Sequence, residues 1–160
     1  MEFTLEQLAT FLIRAKKQTY AGEGKEIVPQ RPGFKELEFV DGHFEYRDSY
    51  IGFYKAPGQE IVRYKGKPVW VMSYNGGMKE KYHKDEDLAM QIFGFLKKCL
   101  NQVEESEPFR GPKYFKEGDY EYINEVYGNI KEFKGQEKIL FKGEEIFRQE
   151  YIGGLVVLKN

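Results

Sequence analysis

The chain has 160 residues, a formal net charge of -1, one cysteine and 16% aromatic residues. The near-neutral charge argues against direct nucleic-acid binding, since neutralising phosphates usually requires an excess of basic residues. A single cysteine excludes an intramolecular disulfide and a zinc site with two or more thiolates.

The length suits one compact domain, and the many aromatic residues favour sheet over helix. The N-terminal segment MEFTLEQL contains acids and no long apolar run, which is not the pattern of a signal peptide. No apolar run is long enough for a transmembrane helix. We therefore expect a cytoplasmic chain with no membrane contact.

The first half of the chain predicts one helix and two hairpins. Thr4 begins a capping box for a helix that continues to about Gln18. Asp41-Gly42 separates two alternating apolar runs, which predicts a hairpin turn. A second turn is predicted at Lys65-Gly66, and Pro68 beside it indicates an edge strand or a bulge.

The second half predicts the same order of elements. A helix should begin near Asp85, where acidic residues in the first turn complement the helix dipole. Hairpin turns are predicted at Glu117-Gly118 and Lys142-Gly143. The segment LVVL at 155–158 is expected to form a buried strand.

Two stretches of the sequence match each other, GQEIVRYKGKPVWVMSYNGG at 58–77 and GQEKILFKGEEIFRQEYIGG at 135–154. The match predicts a single domain built of two repeats, with a first copy at 1–80 and a second copy at 81–160. The predicted fold class is α+β, an internal duplication of a helix–hairpin–hairpin unit. Its two helices are expected to pack on a mainly antiparallel sheet with pseudo-two-fold symmetry.

Two acids and one charged pair are candidates for a ligand site. Glu60 and Glu137 follow Gly-Gln in both stretches, where they either bind neighbouring backbone donors or line one cleft together. Arg47 and Asp48 lie in YRDSY, where the second half has Ile and Asn at 123–124. Because adjacent strand residues face opposite sides, one of this pair is expected in an ion pair instead.

An aromatic set accompanies these charges. Its members either pack in the core or form the wall of a pocket for a planar or cationic organic molecule. The candidate ligand-binding residues are Arg47, Asp48, Tyr50, Glu60, Trp70, Tyr74, Tyr122 and Glu137. The pattern predicts no catalytic residue, no metal ligand and no cofactor.

Several longer motifs, taken together, carry a resemblance to a known family. They are AKKQTYAGEG, RPGFKELEF, YRDSYIG, GQE with GKPVW, PFRGPKYFKEGDYEY and the final YIGG. They resemble an uncharacterised prokaryotic family catalogued as a domain of unknown function, number 5680. The resemblance implies a sensing or interaction module, because the family stands alone or follows a helix-turn-helix domain. It implies no chemistry, and Ile152 replaces a histidine of many members.

Three functions are open from the sequence. The first is a non-enzymatic small-molecule-binding or sensory domain of unknown ligand, linked to transcriptional regulation. The alternative is a protein-interaction or self-association module, with a homodimer as the expected assembly. The third is an enzyme that uses paired carboxylates, for which no nucleophile–base pair or metal cluster is recognisable.

Overall fold

The computed structural model describes residues 2–22 and 24–159, and in this part of the chain eight strands form one antiparallel sheet. The strands are β1 (Lys35–Asp41), β2 (Phe44–Tyr50), β3 (Gly58–Tyr64), β4 (Lys67–Met78), β5 (Tyr114–Glu117), β6 (Tyr120–Asn129), β7 (Glu132–Phe141) and β8 (Glu144–Leu155). Their order across the sheet is β1-β2-β3-β4-β8-β7-β6-β5. The central pair is therefore β4 and β8, and β1 and β5 form the edges.

Two α-helices accompany the sheet in the described residues, α1 (Leu5–Gln18) and α2 (Glu86–Leu100). Thr4 caps α1 through the predicted capping box, and Asp85 caps α2 by accepting a hydrogen bond from the Leu88 amide at 3.0 Å. Both predicted helix starts are thereby confirmed. Across residues 2–22 and 24–159, neither helix has the length and apolar character needed to cross a membrane.

The hairpin turns follow local sequence closely. Lys65-Gly66 and Lys142-Gly143 have positive φ at both positions, which confirms the predicted turns and fits type I′ geometry. The other two turns lie one residue later than predicted, at 42–43 and 118–119, because Asp41 and Glu117 still pair across their strands. In both, the glycine takes the first turn position with positive φ.

Of two further strand predictions, the one at Pro68 is confirmed and the one at the end of the chain is wrong in part. Pro68 lies in the central strand β4, beside the bulge that was one of its two predicted settings. Val62 pairs with Trp70 and Arg63 with Pro68, so Val69 is the extra residue in β4. The last strand ends at Leu155, and Val157 and Leu158 are exposed. Leu155 pairs with Trp70 near the start of β4, so little partner strand remains for the residues that follow.

The core consists of two apolar clusters on one face of the sheet. The first joins the buried stripe of α1 to Tyr46, Val62 and Trp70. The second joins the buried stripe of α2 to residues of β6, β7 and β8, including Tyr122 and Ile139. The helices therefore cover the same face, and the side chains between the two clusters are those that form the site.

The predicted α+β fold class, a duplicated helix–hairpin–hairpin unit, is wrong, because the chain is sheet-dominated at 46% strand and 20% helix. The difference lies in strand length, since β4 and β8 run for 12 residues each and pass through both Gly-Gly pairs. Glycine usually weakens a strand. Here a Cβ at Gly77 would lie 2.0 Å from the Tyr54 carbonyl oxygen, and one at Gly153 would lie 2.3 Å from the Val71 carbonyl oxygen. Close packing of the backbone therefore requires glycine at both positions.

Candidate functional site

Among the described residues, five acidic or basic side chains lie buried between the sheet and the helices. Lys16, Asp48, Glu60, Arg110 and Glu137 are each no more than 7% exposed. Removing a charge from water costs free energy unless an opposite charge or hydrogen bonds compensate for it. The partners of each group therefore determine what this charged cluster can do.

Arg110 connects the two glutamates of the repeated Gly-Gln-Glu segments. Its Nε and Nη2 lie 2.9 Å and 2.7 Å from Glu137 Oε1, and its Nη1 lies 3.8 Å from Glu60 Oε1. Glu137 also accepts hydrogen bonds from the Tyr122 hydroxyl at 2.6 Å and from the Gln149 side chain at 2.9 Å. The glutamates thus bind side chains and meet at one guanidinium.

Lys16 is the second buried cation, and it reaches Glu60 from the end of α1. Its Nζ donates a hydrogen bond to Glu60 Oε2. Burial lowers the pKa of Lys16, and the attraction of Glu60 opposes this effect. Burial alone would also lower the pKa of Arg110, but Glu137 holds it well above its ordinary value.

Asp48 is the carboxyl of this cluster that contacts no cation among the described residues. The Tyr74 hydroxyl donates to its Oδ1 at 2.6 Å, and within those residues nothing donates to Oδ2. Glu60 is its direct cross-strand partner. Burial, followed by repulsion from Glu60, raises the pKa of Asp48 to about 7.

A neutral version of this contact is present in the second half of the sheet. The Tyr151 hydroxyl donates to Asn124 Oδ1 at 2.7 Å, as Tyr74 does to Asp48. Asn124 Nδ2 donates in turn to the Gly111 carbonyl at 3.0 Å. Both ends of the amide are therefore satisfied, whereas no hydrogen bond from the described residues reaches Asp48 Oδ2.

Glycines place both tyrosines. Gly58 pairs directly with Tyr74, and Gly135 with Tyr151, on adjacent strands. A Cβ at Gly58 would lie 2.4 Å from the Tyr74 hydroxyl oxygen, and one at Gly135 would lie 2.3 Å from that of Tyr151. The glycine of each Gly-Gln-Glu segment thus leaves space for the ring that reaches the polar side chain.

A cavity of about 280 Å³ opens above Asp48. Asp48 and Tyr74 form its floor together with Arg110 and Gln149. The guanidinium carbon of Arg110 lies 5.6 Å from the centre of the Tyr74 ring. We call this space the Asp48 cavity.

The walls of the Asp48 cavity are mostly apolar. Tyr50 and Phe53 contribute from the end of β2 and the segment after it, and Met90, Phe93 and Leu96 contribute from α2. The Phe53 and Phe93 rings meet edge to face with their centres 5.5 Å apart. Phe53 is 42% exposed and Met90 58% exposed, so the mouth of the cavity is apolar as well.

A larger and more open hollow of about 670 Å³ lies on the other face of the sheet. Ser73, Tyr127 and Ile152 are among its lining residues. Its charged lining residues, Glu125 and Lys134 among them, are exposed. It therefore lacks the buried, unpaired charge that distinguishes the Asp48 cavity, and the smaller space is the better candidate.

The candidate residues predicted from the sequence fall into separate places. Asp48, Tyr50 and Tyr74 line the Asp48 cavity. Glu60, Tyr122 and Glu137 lie beneath its floor in the charged cluster. Trp70 is fully buried in the core, where its ring stacks on Phe133 at 5.7 Å between centres.

Arg47 lies on the opposite face of the sheet from Asp48, as the alternation of strand residues predicts. It binds Glu36 at 3.1 Å and also binds Glu38, its direct cross-strand partner. The expected ion pair is therefore confirmed, and Arg47 does not line the cavity.

Sequence reasoning missed both buried cations. Lys16 had a detectable signal, because it follows Leu12 by four residues and so lies on the apolar stripe of α1. Glu60 faces inward like Val62, and an inward acid requires an inward partner. Arg110 lies in the irregular segment between α2 and β5, where no periodicity indicates which side chains are buried.

A protein-family model described as Domain of unknown function (DUF5680) matches residues 48–156. The chain belongs to this family. The resemblance inferred from the motifs is thereby confirmed at the level of the DUF5680 domain. The matched span begins at Asp48 and includes Tyr74, Arg110 and Glu137, while Lys16 lies before it. No curated protein and no solved structure matches the chain.

Proposed function

We propose that this DUF5680 chain is a non-enzymatic small-molecule-binding or sensory domain whose ligand occupies the Asp48 cavity. The observation that carries the proposal is a buried carboxyl without a cationic partner at the floor of an apolar-walled space. Apolar walls with a few placed polar groups are typical of ligand sites. The association with helix-turn-helix domains that the resemblance implies supports a sensory role in transcriptional regulation.

The size of the Asp48 cavity limits the ligand. At about 280 Å³ it lies at the lower end of ligand-binding cavities. A body of one or two rings fits this space, whereas a long peptide does not. The exposed Phe53 and Met90 at the mouth provide an apolar entry for such a molecule.

Thermal unfolding across a metabolite library tests this proposal when two blocking variants are included. Ala56 lines the Asp48 cavity and Ile152 lines the outer hollow, so Ala56→Phe and Ile152→Phe each fill one space. A ligand at about 100 times its Kd should raise the Tm by roughly 5 to 10 °C. The shift should persist in Ile152→Phe and disappear in Ala56→Phe. A shift lost only in Ile152→Phe, or no shift with any compound, would contradict the proposal.

Self-association through the outer face is a second candidate function. Tyr127 and Ile152 are each 62% exposed and line the outer hollow. Exposed apolar side chains at a concave surface are common at protein interfaces. Light scattering on the wild type and on Ile152→Lys measures the oligomeric state. We expect a concentration-dependent dimer in the wild type and a monomer in the variant.

The geometry gives little support to the enzyme hypothesis. Paired-carboxylate catalysis requires two acids that both reach the substrate. Asp48 lines the cavity, but Glu60 and Glu137 are held by Lys16 and Arg110 beneath its floor. We therefore keep binding, and not catalysis, as the function.

A further inference from the structure

The buried cluster contains more acids than bases. Lys16 binds Glu60, and Arg110 binds Glu137 while lying 3.8 Å from Glu60. Asp48 has only the Tyr74 hydroxyl, a neutral donor, among the described residues. When Asp48 is ionised, the five groups therefore carry one uncompensated negative charge, and this charge lies at the cavity floor.

The walls of the cavity suit the cation that this charge attracts. Tyr50, Phe53 and Phe93 present aromatic rings, and aromatic faces attract cations. The guanidinium of Arg110 and the ammonium of Lys16 are engaged by the glutamates, which leaves them poorly placed to attract an anionic ligand. At the rim, Lys35 lies 3.3 Å from Glu26, so these two charges compensate one another. The exposed Lys97 ammonium also lies at the rim, 5.5 Å from the centre of the Tyr20 ring, where water screens its charge better than that of the buried Asp48.

The geometry points to a protonated amine carried on an apolar body of one or two rings as the ligand of the Asp48 cavity. The ammonium group would lie against the Asp48 carboxylate, and the rings would lie between Phe53 and the α2 side chains Phe93 and Leu96. This inference rests on the proposed function, because it requires that the Asp48 cavity is a binding site. It adds the chemical class of the ligand.

The charge of the acid makes binding depend on pH. The ionisable groups that face Asp48 from the surrounding elements are Lys16, Tyr20, Tyr46, Tyr50, Glu60, Tyr74 and Arg110, with Lys97 of α2 at the rim. Burial raises the pKa of Asp48 to about 7, so the carboxylate forms as the pH rises through neutrality. An amine that needs this carboxylate should bind about ten times more tightly at pH 8 than at pH 6.

Calorimetric titration with three matched probes tests the ligand class. The probes are 2-phenylethylamine, 2-phenylethanol and 3-phenylpropionate, which share a phenyl ring and carry a cationic, neutral or anionic group. At pH 8 the amine should bind at least about ten times more tightly than the alcohol, in keeping with an added charge-assisted hydrogen bond. The carboxylate probe should bind most weakly, because its charge opposes that of Asp48.

Asp48→Asn provides the matched variant, since it keeps the size of the side chain and copies Asn124. It should reduce amine affinity to that of the alcohol and remove the pH dependence, while the alcohol binds as in the wild type. Thermal unfolding of the variant checks that it is folded. As a second variant, Asn124→Ser changes the other half and should leave the amine preference intact.

Three results would overturn the ligand class. They are equal or tighter binding of the alcohol or the carboxylate, unchanged amine affinity in Asp48→Asn, and no measurable binding of the amine at millimolar concentration. The first two still place a ligand in the cavity if Ala56→Phe abolishes binding, so the proposed function would survive them. If the amine does not bind measurably, the proposed function is tested independently by the metabolite library with the blocking variants.

Discussion

The two halves of the sheet hold the same tyrosine contact around different chemical groups. In the second half Tyr151 binds Asn124, whose amide is completed by the Gly111 carbonyl. In the first half Tyr74 binds Asp48, and no second partner lies beside this acid among the described residues. The second arrangement is neutral and closed, whereas the first retains a charge and opens to a cavity.

This difference separates what stabilises the sheet from what can recognise a ligand. A buried amide whose hydrogen bonds are all formed rigidifies its surroundings and needs no further partner. A buried carboxyl without a cationic partner costs free energy in the empty protein, and a ligand with the right donor can recover part of that cost. The free-energy cost of the buried Asp48 carboxyl is therefore what we expect of a site that a ligand completes.

The largest expected effect comes from Arg110, which joins the two halves. Arg110→Met should lower the free energy of unfolding by about 3 to 5 kcal/mol, because it leaves Glu137 buried without its cation. Urea unfolding measures this. Arg14→Met removes an exposed pair with Asp41 and should cost less than about 1 kcal/mol. The double variant Arg110→Met/Glu137→Gln should recover part of the stability that Arg110→Met loses. If Arg110→Met loses less stability than Arg14→Met, Arg110 does not hold the halves together.

Asn124→Asp should make the second half resemble the first, at a cost. The new carboxylate would face the Gly111 carbonyl at the place where the amide now donates. We expect a loss of roughly 2 to 4 kcal/mol at neutral pH, the cost of a buried charge without a partner. The exposed Asn75→Asp is the control in the same urea experiment. Equal effects of the two variants would mean that the closed amide contributes little.

Asp48→Asn makes the first half resemble the second, and it should stabilise the protein above neutral pH. Burial raises the pKa of Asp48 from 3.8 to about 7, so the unfolded chain ionises first as the pH rises. The folded wild type therefore loses stability between these values, and the loss is complete above about pH 7.

The gain in Asp48→Asn should be near zero below pH 4 and reach about 4 kcal/mol at pH 8, since the pKa shift from 3.8 to about 7 is complete there. Urea unfolding at pH 4, 6 and 8 measures it, with the exposed Asp119→Asn as control. A gain that is the same at all three pH values would contradict the assignment of this pH dependence to Asp48.

The smallest effects are expected when the two tyrosine hydroxyls are removed. Tyr151→Phe leaves Asn124 Oδ1 unsatisfied and should cost about 1 to 2 kcal/mol at every pH. Tyr74→Phe should instead act mainly above pH 7, because the Tyr74 hydrogen bond lowers the pKa of Asp48 and its loss raises this pKa further. An NMR titration of the Asp48 carboxyl in both variants compares them. An unchanged pKa in Tyr74→Phe would contradict the contact.

Local features of the fold were accessible from the sequence, and longer-range ones were not. The capping box at Thr4 and the turn at Lys65-Gly66 are specified by adjacent residues. The passage of β4 and β8 through their Gly-Gly pairs depends on close packing with distant backbone, which composition does not reveal. The same dependence explains why the predicted final strand beyond Leu155 is wrong.

For the site, the sequence indicated the acid and two of its aromatic neighbours. Asp48 is a candidate because the second half has Asn124 at the matching position, and Tyr50 and Tyr74 are candidates as members of the aromatic set. All three line the cavity. Arg110 was not predicted, because a residue in an irregular segment gives no periodic signal. Phe93 lies on α2 beside the cavity, and its chemistry does not distinguish it from a core residue.

Gly58 carries no side chain, yet it decides whether Tyr74 can reach Asp48. Even one added methyl group would push the phenol away from the acid and change the charge at the cavity floor. Positions 48, 58 and 74 are therefore physically coupled, because the contact between the acid and the phenol requires glycine at position 58. A search for functional groups alone would overlook Gly58, although the contact between Asp48 and Tyr74 depends on it.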